Sequence, residues 1–324
     1  MLTTFVPASI PSPSQGTWWL GPVPLRAYGI LMVLAMALAI WITYRRYEKR
    51  GGVGDVVVDT SIWAIVFGVI GGRTYHVITS PHQYFGAGSD PWEAFRIWEG
   101  GMAIWGAIGL GAVGAYIGMS RAKQRIGPFA DSLAPGLLLA QVLGRWGNYF
   151  NQELFGAPTT LPWGLEIDAA HLPAGYAEGT LFHPTFLYEG IWNLVMAGLL
   201  IWLDHRIRFS SGQVMSLYLV MYGLGRFWVE GLRLDEAYEF LGLRLNAWTA
   251  LGVVIVGVVA YFVCGRVGAP TRVLEAEKEA YLLRRTDPDE AAVEQVIGEE
   301  EVREIELENQ AEGGDQELDS SEHP

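Results

Sequence analysis

Seven stretches of apolar residues, each near the roughly 20 helical residues that cross a bilayer core of about 30 Å, leave this chain few folds to choose from. They fall near 27–44, 56–78, 100–119, 129–149, 185–203, 214–232 and 247–265. Backbone in lipid must satisfy its own hydrogen bonds, so the pattern predicts an all-α integral membrane protein of seven transmembrane helices. Composition agrees, with 51% of the 324 residues hydrophobic and only 18% charged. Glycines at a spacing of four, Gly68 with Gly72 and Gly114 with Gly118, would let helix backbones approach closely. Met1 to Gly16 lacks the basic n-region of a cleaved signal peptide, so the first span is expected to stay in the mature protein.

The formal net charge of −13 belongs to one end of the chain. Residues 271–324 hold 18 acidic and 5 basic residues, whereas the first 270 hold 17 of each. The acidic balance therefore says nothing about what the body binds, and no nucleic-acid partner is expected. Two parts are predicted: a membrane domain over 1–270 and a cytoplasmic acidic tail over 271–324. The tail opens with TRVLEAEKEAYLLRR, which has the pattern of one amphipathic helix. From 286 to 324 it is Glu-rich and poor in aromatic residues, and is expected to be disordered.

Orientation follows from the basic residues between spans. Arg45, Arg46, Lys49 and Arg50 follow the first span, Arg121, Lys123 and Arg125 the third, Arg206 and Arg208 the fifth, and Arg266 and Arg272 the seventh. Those loops are predicted to be cytoplasmic, which puts the N-terminus outside and the C-terminus inside. The longest insertion, about 150–184, then lies outside.

Ionisable side chains within spans cost several kcal/mol unless they are paired or face an aqueous cavity. The fourth span ends in LGRWGNYFNQELFG, which sets Arg145 and Asn148 on one helical face with Asn151 and Glu153 just beyond. The sixth contains YGLGRFWVEGLR, where Arg226, Glu230 and Arg233 share a face. Arg73 and His76 lie in the second span, Arg26 and Tyr28 start the first, and His183 and Glu189 start the fifth. At 1.5 Å per residue Arg226 sits about 18 Å above Val214, in the outer half of the membrane. Arg145, Arg73, His76 and Tyr28 reach the same level. Single arginines near helix ends can snorkel to the interface, and Arg226 with Glu230 can be a simple i,i+4 pair. Two arginines with Asn and Glu in one layer suit anion binding better, because guanidinium forks onto phosphate oxygens. An outer-leaflet phosphate points to a phospholipid head group.

Other chemistries drop out. The single Cys264 allows no intramolecular disulfide and no Cys-based metal site. There is no HExxH and no GxSxG, and the lysines Lys49, Lys123 and Lys278 lie outside the spans, which excludes a retinal Schiff base. No metal or organic cofactor is expected.

The segment GRWGNYFNQELFG, Gly144 to Gly156, closely resembles the signature of bacterial prolipoprotein diacylglyceryl transferases, with Arg145, Asn148, Asn151, Glu153 and Gly156 at the matching offsets. RAYG at Arg26 to Gly29, HPTFLYE at His183 to Glu189 and YGLGRFWVEGLR at Tyr222 to Arg233 extend the resemblance, which covers roughly residues 20–265. It implies a multi-pass enzyme of the bacterial cytoplasmic membrane. Such an enzyme moves the diacylglyceryl group of phosphatidylglycerol onto the thiol of the lipobox cysteine in a prolipoprotein signal peptide, forming a thioether and releasing glycerol phosphate. By the same resemblance Arg145 and Arg226 grip the phosphate and act in catalysis with Asn148 and Glu153. Tyr28, Asn151, Gly156, Glu230, Arg233 and His183 line or brace the substrate site. Many members of that family carry a histidine in the GGM segment after the second span, where this chain has Trp105. The remaining route is substitution at the glycerol carbon by the thiol, with the arginines stabilising the departing phosphate. The base is then His183, His76 or Glu153, or the thiolate forms at the membrane surface without one. The alternative function is a lipid or anion transporter using the same arginines. Transport would favour polar residues throughout the membrane depth, whereas the inner halves of these spans are expected to be nearly charge-free, with Asp131 close to the cytoplasmic end.

Overall fold

The computed structural model describes residues 9–286 apart from Ala87 and Glu236. A short hairpin, β1 (Thr17–Leu20) with β2 (Val23–Arg26), leads into α1 (Ala27–Lys49), followed by α2 (Gly54–Thr79) and the single-turn α3 (Pro81–Phe85). Two 3-10 turns, Pro91–Phe95 and Ile97–Glu99, connect to α4 (Ile104–Arg121) and α5 (Ile126–Asn151). After an insertion come α6 (Thr185–Arg206), α7 (Gln213–Glu230), the hairpin β3 (Glu239–Phe240) with β4 (Leu243–Arg244), α8 (Leu245–Val267) and α9 (Glu275–Thr286). The expected disorder over 286–324 lies outside the described residues, apart from Thr286 at the end of α9.

A long helix occupies each of the seven apolar stretches, and five of them, α1, α2, α5, α6 and α8, are long and apolar enough to cross a membrane. The other two have 18 residues each, about 27 Å of helix. Each exchanges apolarity for something else. Helix α4 contains five glycines, and α7 carries Arg226 and Glu230. Helix α4 starts at Ile104 rather than at 100 because Gly100 (φ 99°) and Gly101 (φ 74°) take left-handed backbone that a helix cannot continue through. Apolar side chains on the outer faces, among them Ile108, Val195, Val256 and Phe262, are more than half exposed, as a lipid-facing belt requires.

The glycines of α4 set its place. Helix α2 packs along α4, and a Cβ at Gly71 or Gly106 would run into the facing helix's carbonyl oxygen. The four glycines singled out from the sequence lie in the same contact: Gly68 faces Ala107, Gly72 faces Ala103, Gly114 faces Trp63 and Gly118 faces Thr60. Helix α1 packs along α5, α5 along α6, and α7 along α8.

The end of the bundle where α1 and α6 finish is charged. Arg46 and Arg50 both pair with Asp204 (2.8 and 3.0 Å). Pro135 lies within α5 and leaves Asp131 O without its helical donor. Arg46 fills in, with Nη2 3.5 Å from that oxygen and Nε 3.2 Å from Ser132 O. Asp131 is fully buried and caps α7 from another helix, accepting from Gly212 N (2.8 Å) and Met215 N (3.0 Å). Helix α7 has no capping side chain of its own, so a carboxylate aimed at its positive end takes that role. These arginines follow the first span in sequence and read as loop charges, but they fold back under α5 and α6.

The segment after α8 crosses this same end. Thr271 Oγ1 donates to Asp131 Oδ2 and accepts from Arg50 Nη1 (3.0 and 2.7 Å). Glu277 pairs with Arg125 (2.7 Å), and Val273 and Tyr281 are buried with Tyr47, Val56, Val57, Met119 and Phe129. The amphipathic helix expected at the start of the tail is α9, which buries Tyr281 in this cluster while Leu282 and Leu283 stay exposed.

Candidate functional site

At the other end, α5 and α7 finish while α1, α6 and α8 begin, so each helix brings one or two polar residues to a common level. Arg145 and Glu189 meet at 2.6 Å. Glu189 also takes Arg226 (Nη1 to Oε1, 3.5 Å), so one carboxylate is shared by two guanidiniums. Arg226 pairs on its other side with Glu230 Oε2 (2.6 Å), and the second oxygen of Glu230 faces Arg244 Nε (3.0 Å). Arg244 continues to Asp235 (3.0 Å), which also holds Arg233 (2.7 Å). The result is a row of alternating charge: Arg145, Glu189, Arg226, Glu230, Arg244, Asp235, Arg233. Glu230 is fully buried and Glu189 nearly so. A charge at such depth persists only when paired.

A branch leaves the row at Arg145. Its Nη1 donates to Asn148 Oδ1 (3.3 Å), and Asn148 Nδ2 donates to Glu153 Oε1 (2.9 Å), which also accepts from Asn151 Nδ2 (3.1 Å). The local cause is the end of α5. Gln152 takes left-handed backbone (φ 50°), the helix stops, and Glu153 N returns to Asn148 O (3.1 Å), turning the carboxylate back over the last helical turn. Among the described residues Glu153 has no arginine partner.

Three further residues named from the sequence adjoin this network. Tyr28, on the first turn of α1, lies flat against Gly147, where a Cβ would come within 2.5 Å of its ring. Gly156 binds the insertion to the helix ends: its N–H donates to His183 O (2.9 Å), it bridges to Arg233, and a Cβ there would press on Leu232 O. His183 Nδ1 is 3.2 Å from Tyr188 Oη, which also accepts from Trp163 Nε1 (3.1 Å) and whose ring stacks on Trp228 of α7.

Arg73 and His76 are occupied elsewhere. Arg73 donates to the carbonyls of Glu93, Ala94, Gly100 and Gly101, and lies over the Tyr84 ring. His76 bonds to Tyr84 Oη (3.1 Å). Both hold the connection between α2 and α4, and neither joins the arginine row by a hydrogen bond or ion pair among the described residues. Trp105 is half-exposed on the first turn of α4.

Four participants escaped the sequence analysis. The sequence marks Glu189 as ionisable but not as the anion both arginines share, and it gives no sign of Arg244, Asn246 or Asp235. Arg244 and Asn246 lie just before the seventh apolar stretch at 247–265, outside the reach of a rule that looks for ionisable residues within spans, because α8 begins two residues earlier at Leu245. Asp235 is outside the spans. Burial pushes its carboxyl up, but the Arg233 hydrogen bond and the charges of Arg233 and Arg244 outweigh this and hold it below the usual carboxylate range. A recess of about 870 Å³ opens beside this part of the row, walled by Glu230, Arg233, Asp235, Arg244, Trp228 and Leu243. Among the described residues no three His, Cys, Asp or Glu side chains group as metal ligands would.

The fold and site together describe a multi-pass helical membrane protein with a buried arginine–carboxylate network at one end, a construction suited to an anionic group. The family model for prolipoprotein diacylglyceryl transferase matches residues 15–263. Similar proteins include phosphatidylglycerol–prolipoprotein diacylglyceryl transferase 2 of Streptomyces coelicolor, 53% identical over 256 residues that make up 79% of this chain and 80% of that one. The transferase of Corynebacterium efficiens is 43% identical over 301 residues, 90% of this chain and 94% of its own. That of Streptomyces griseus is 47% identical over 275 residues, 84% and 83%. The chain belongs to the prolipoprotein diacylglyceryl transferase family. Nothing in these matches supports the transporter alternative.

Proposed function

We propose that the arginine row is where this chain transfers the diacylglyceryl group of phosphatidylglycerol to the cysteine thiol of a prolipoprotein lipobox. Family membership supports the reaction, and one observation carries the placement: two guanidiniums, Arg145 and Arg226, held on either side of the single carboxylate of Glu189. Phosphate oxygens entering between them meet forked donors from both sides.

The substrate sulfur attacks the glycerol carbon that bears the phosphate. A C–S bond forms, the C–O bond breaks, and its electron pair leaves on the phosphate oxygen as glycerol phosphate. Arg145 and Arg226 stabilise that departing charge. Asn148 orients Arg145 toward Glu153, and the thiol proton passes to Glu153, whose carboxylate is held by two neutral amides and opposed by no arginine. Trp105, where many family members carry histidine, offers no proton acceptor. Tyr28, Asn151, Gly156, Glu230, Arg233 and His183 line or brace the lipid and peptide.

In this account all seven long helices span a bacterial cytoplasmic membrane, with the N-terminus and the arginine row on the outer side and the C-terminus inside. The short α4 and α7 are accommodated by local thinning or by their neighbours. The test is a transfer assay with purified protein, phosphatidylglycerol and a lipobox peptide, beside the same peptide with Cys replaced by Ser. Lipidated Cys peptide with an equal amount of glycerol phosphate supports the proposal. No product from either peptide, or equal product from both, overturns it.

A further inference from the structure

We infer that Arg244 is a positioning residue for this reaction. By holding one oxygen of Glu230, it leaves Arg226 with only part of that carboxylate and so keeps the Arg226 guanidinium available to the lipid phosphate. The inference rests on the placement of the reaction at the arginine row.

Arg244 is aimed by its backbone. Strands β3 and β4 pair through a two-residue turn, Leu241 (φ 50°) and Gly242 (φ 75°), the pattern of a type I′ hairpin. That turn brings the chain back over the end of α7 and delivers Arg244 at the first residue before α8. Its two Nη atoms are hydrogen-bonded, while Nε meets Glu230 as an ion pair without hydrogen-bond geometry. Nε faces Glu230 Oε1 at 3.0 Å, Nη1 donates to Arg233 O at 2.7 Å, and Nη2 donates to Asp235 O at 2.7 Å and to its Oδ2 at 3.0 Å. Asn246 Nδ2 adds a donor to the same Oε1 at 3.1 Å. The two oxygens of the fully buried Glu230 are thereby divided, Oε1 to the α8 side and Oε2 to Arg226 at 2.6 Å.

The charge count shows what this division does. Four arginines alternate with three carboxylates along the row, an excess positive charge that the branch carboxylate Glu153 balances. Without Arg244 it separates into Arg145–Glu189–Arg226–Glu230 and Asp235–Arg233, both neutral. Arg226 would then stand between two carboxylates with no second cation to share Glu230, and the row together with its Glu153 branch would turn from neutral to net negative, which disfavours an anionic lipid. Lysine at 244 keeps the charge but not the planar fork.

The experiment measures initial rates of the full chain against phosphatidylglycerol at saturating lipobox peptide, for wild type, Arg244→Gln, Arg244→Lys, Asp235→Asn, Glu230→Gln and the Glu230→Gln/Arg244→Gln double variant. Arg244→Gln is expected to raise KM for phosphatidylglycerol about tenfold and to lower kcat as well, with Arg244→Lys recovering part of both. Asp235→Asn, which loosens the same loop but leaves Glu230 paired, is expected to change KM less than Arg244→Gln does. In the Glu230→Gln background Arg244→Gln should add no more than about a twofold change, because the residue acts through Glu230. Should the Gln variant fail to fold, Arg244→Lys with the wild-type KM would overturn the inference, and a raised KM would support it. Losses that multiply in the double variant, or an equal loss in Asp235→Asn, would make Arg244 a loop anchor only. A wild-type KM in Arg244→Gln overturns the inference while the transfer reaction stands. An inactive wild type instead overturns the reaction itself.

Discussion

Replacing Glu189 with glutamine keeps the shape of the shared anion and removes its charge. Arg145 and Arg226 both rest on it, at 2.6 and 3.5 Å. A carboxylate and a guanidinium about 4 Å apart attract by about 4 kcal/mol at an effective dielectric constant of 20. Much of that is offset by desolvation, yet deleting one member of a buried pair still costs about 3–5 kcal/mol because the remaining charges are left uncompensated. Glutamine can accept from only one arginine and turns its NH2 toward the other. The unfolding temperature in detergent should therefore fall, by roughly 6 °C or more at about 2 °C per kcal/mol. In the transfer assay kcat/KM for phosphatidylglycerol should fall at least about 100-fold, near 2.7 kcal/mol of transition-state stabilisation. A glutamine variant with an unchanged unfolding temperature and kcat/KM within about threefold of wild type would mean that Glu189 does not hold the two arginines in place for transfer.

Three other outcomes follow from the same geometry. Arg145→Ala and Arg226→Ala should each abolish transfer while the protein still inserts and purifies as a folded species; measurable turnover in either would remove that arginine from the phosphate site. Asp131→Ala should lower stability by about 1–2 kcal/mol through loss of the cap on α7, read by thermal unfolding, with KM for lipid unaffected because the residue lies at the opposite end of the bundle. Glu277 is pushed up by burial, but the Arg125 hydrogen bond and charge and the Leu274 N–H outweigh this and hold its carboxyl below the usual range. Its contribution is thus complete above the ordinary glutamate value of about 4.3 and lost as pH falls through the lower folded value. The difference in unfolding temperature between wild type and Glu277→Gln should be constant from neutral pH down to about 5 and vanish in acid; a difference that shrinks between pH 7 and 5 would contradict this.

Apolar run length was enough to locate seven long helices, five of them long and apolar enough to cross a membrane, because such helices are specified locally by their own side chains. The four glycines of the α2–α4 contact were legible for the same reason: their spacing alone places them on one face. Arg145, Asn148, Asn151 and Glu153 sit within nine residues of one another, so their grouping at the end of α5 could be read along the chain. What could not be read is pairing in trans. Glu189 serves arginines 44 and 37 residues away, Arg244 reaches Glu230 only because a two-residue turn reverses the chain, and Asp131 caps a helix more than 80 residues later. Arg46 and Arg50 are a further case: they follow the first apolar run as loop charges would, and their pairing with Asp204 at the end of α6 is not visible along the chain.

A structure of the protein with bound phosphatidylglycerol shows whether a phospholipid phosphate lies between Arg145 and Arg226. Phosphate oxygens are expected about 2.7–2.9 Å from guanidinium nitrogens of both residues, with the glycerol carbon open toward Glu153. A phosphate seated instead against Arg46 and Arg50 at the opposite end, or touching neither Arg145 nor Arg226, would contradict that placement.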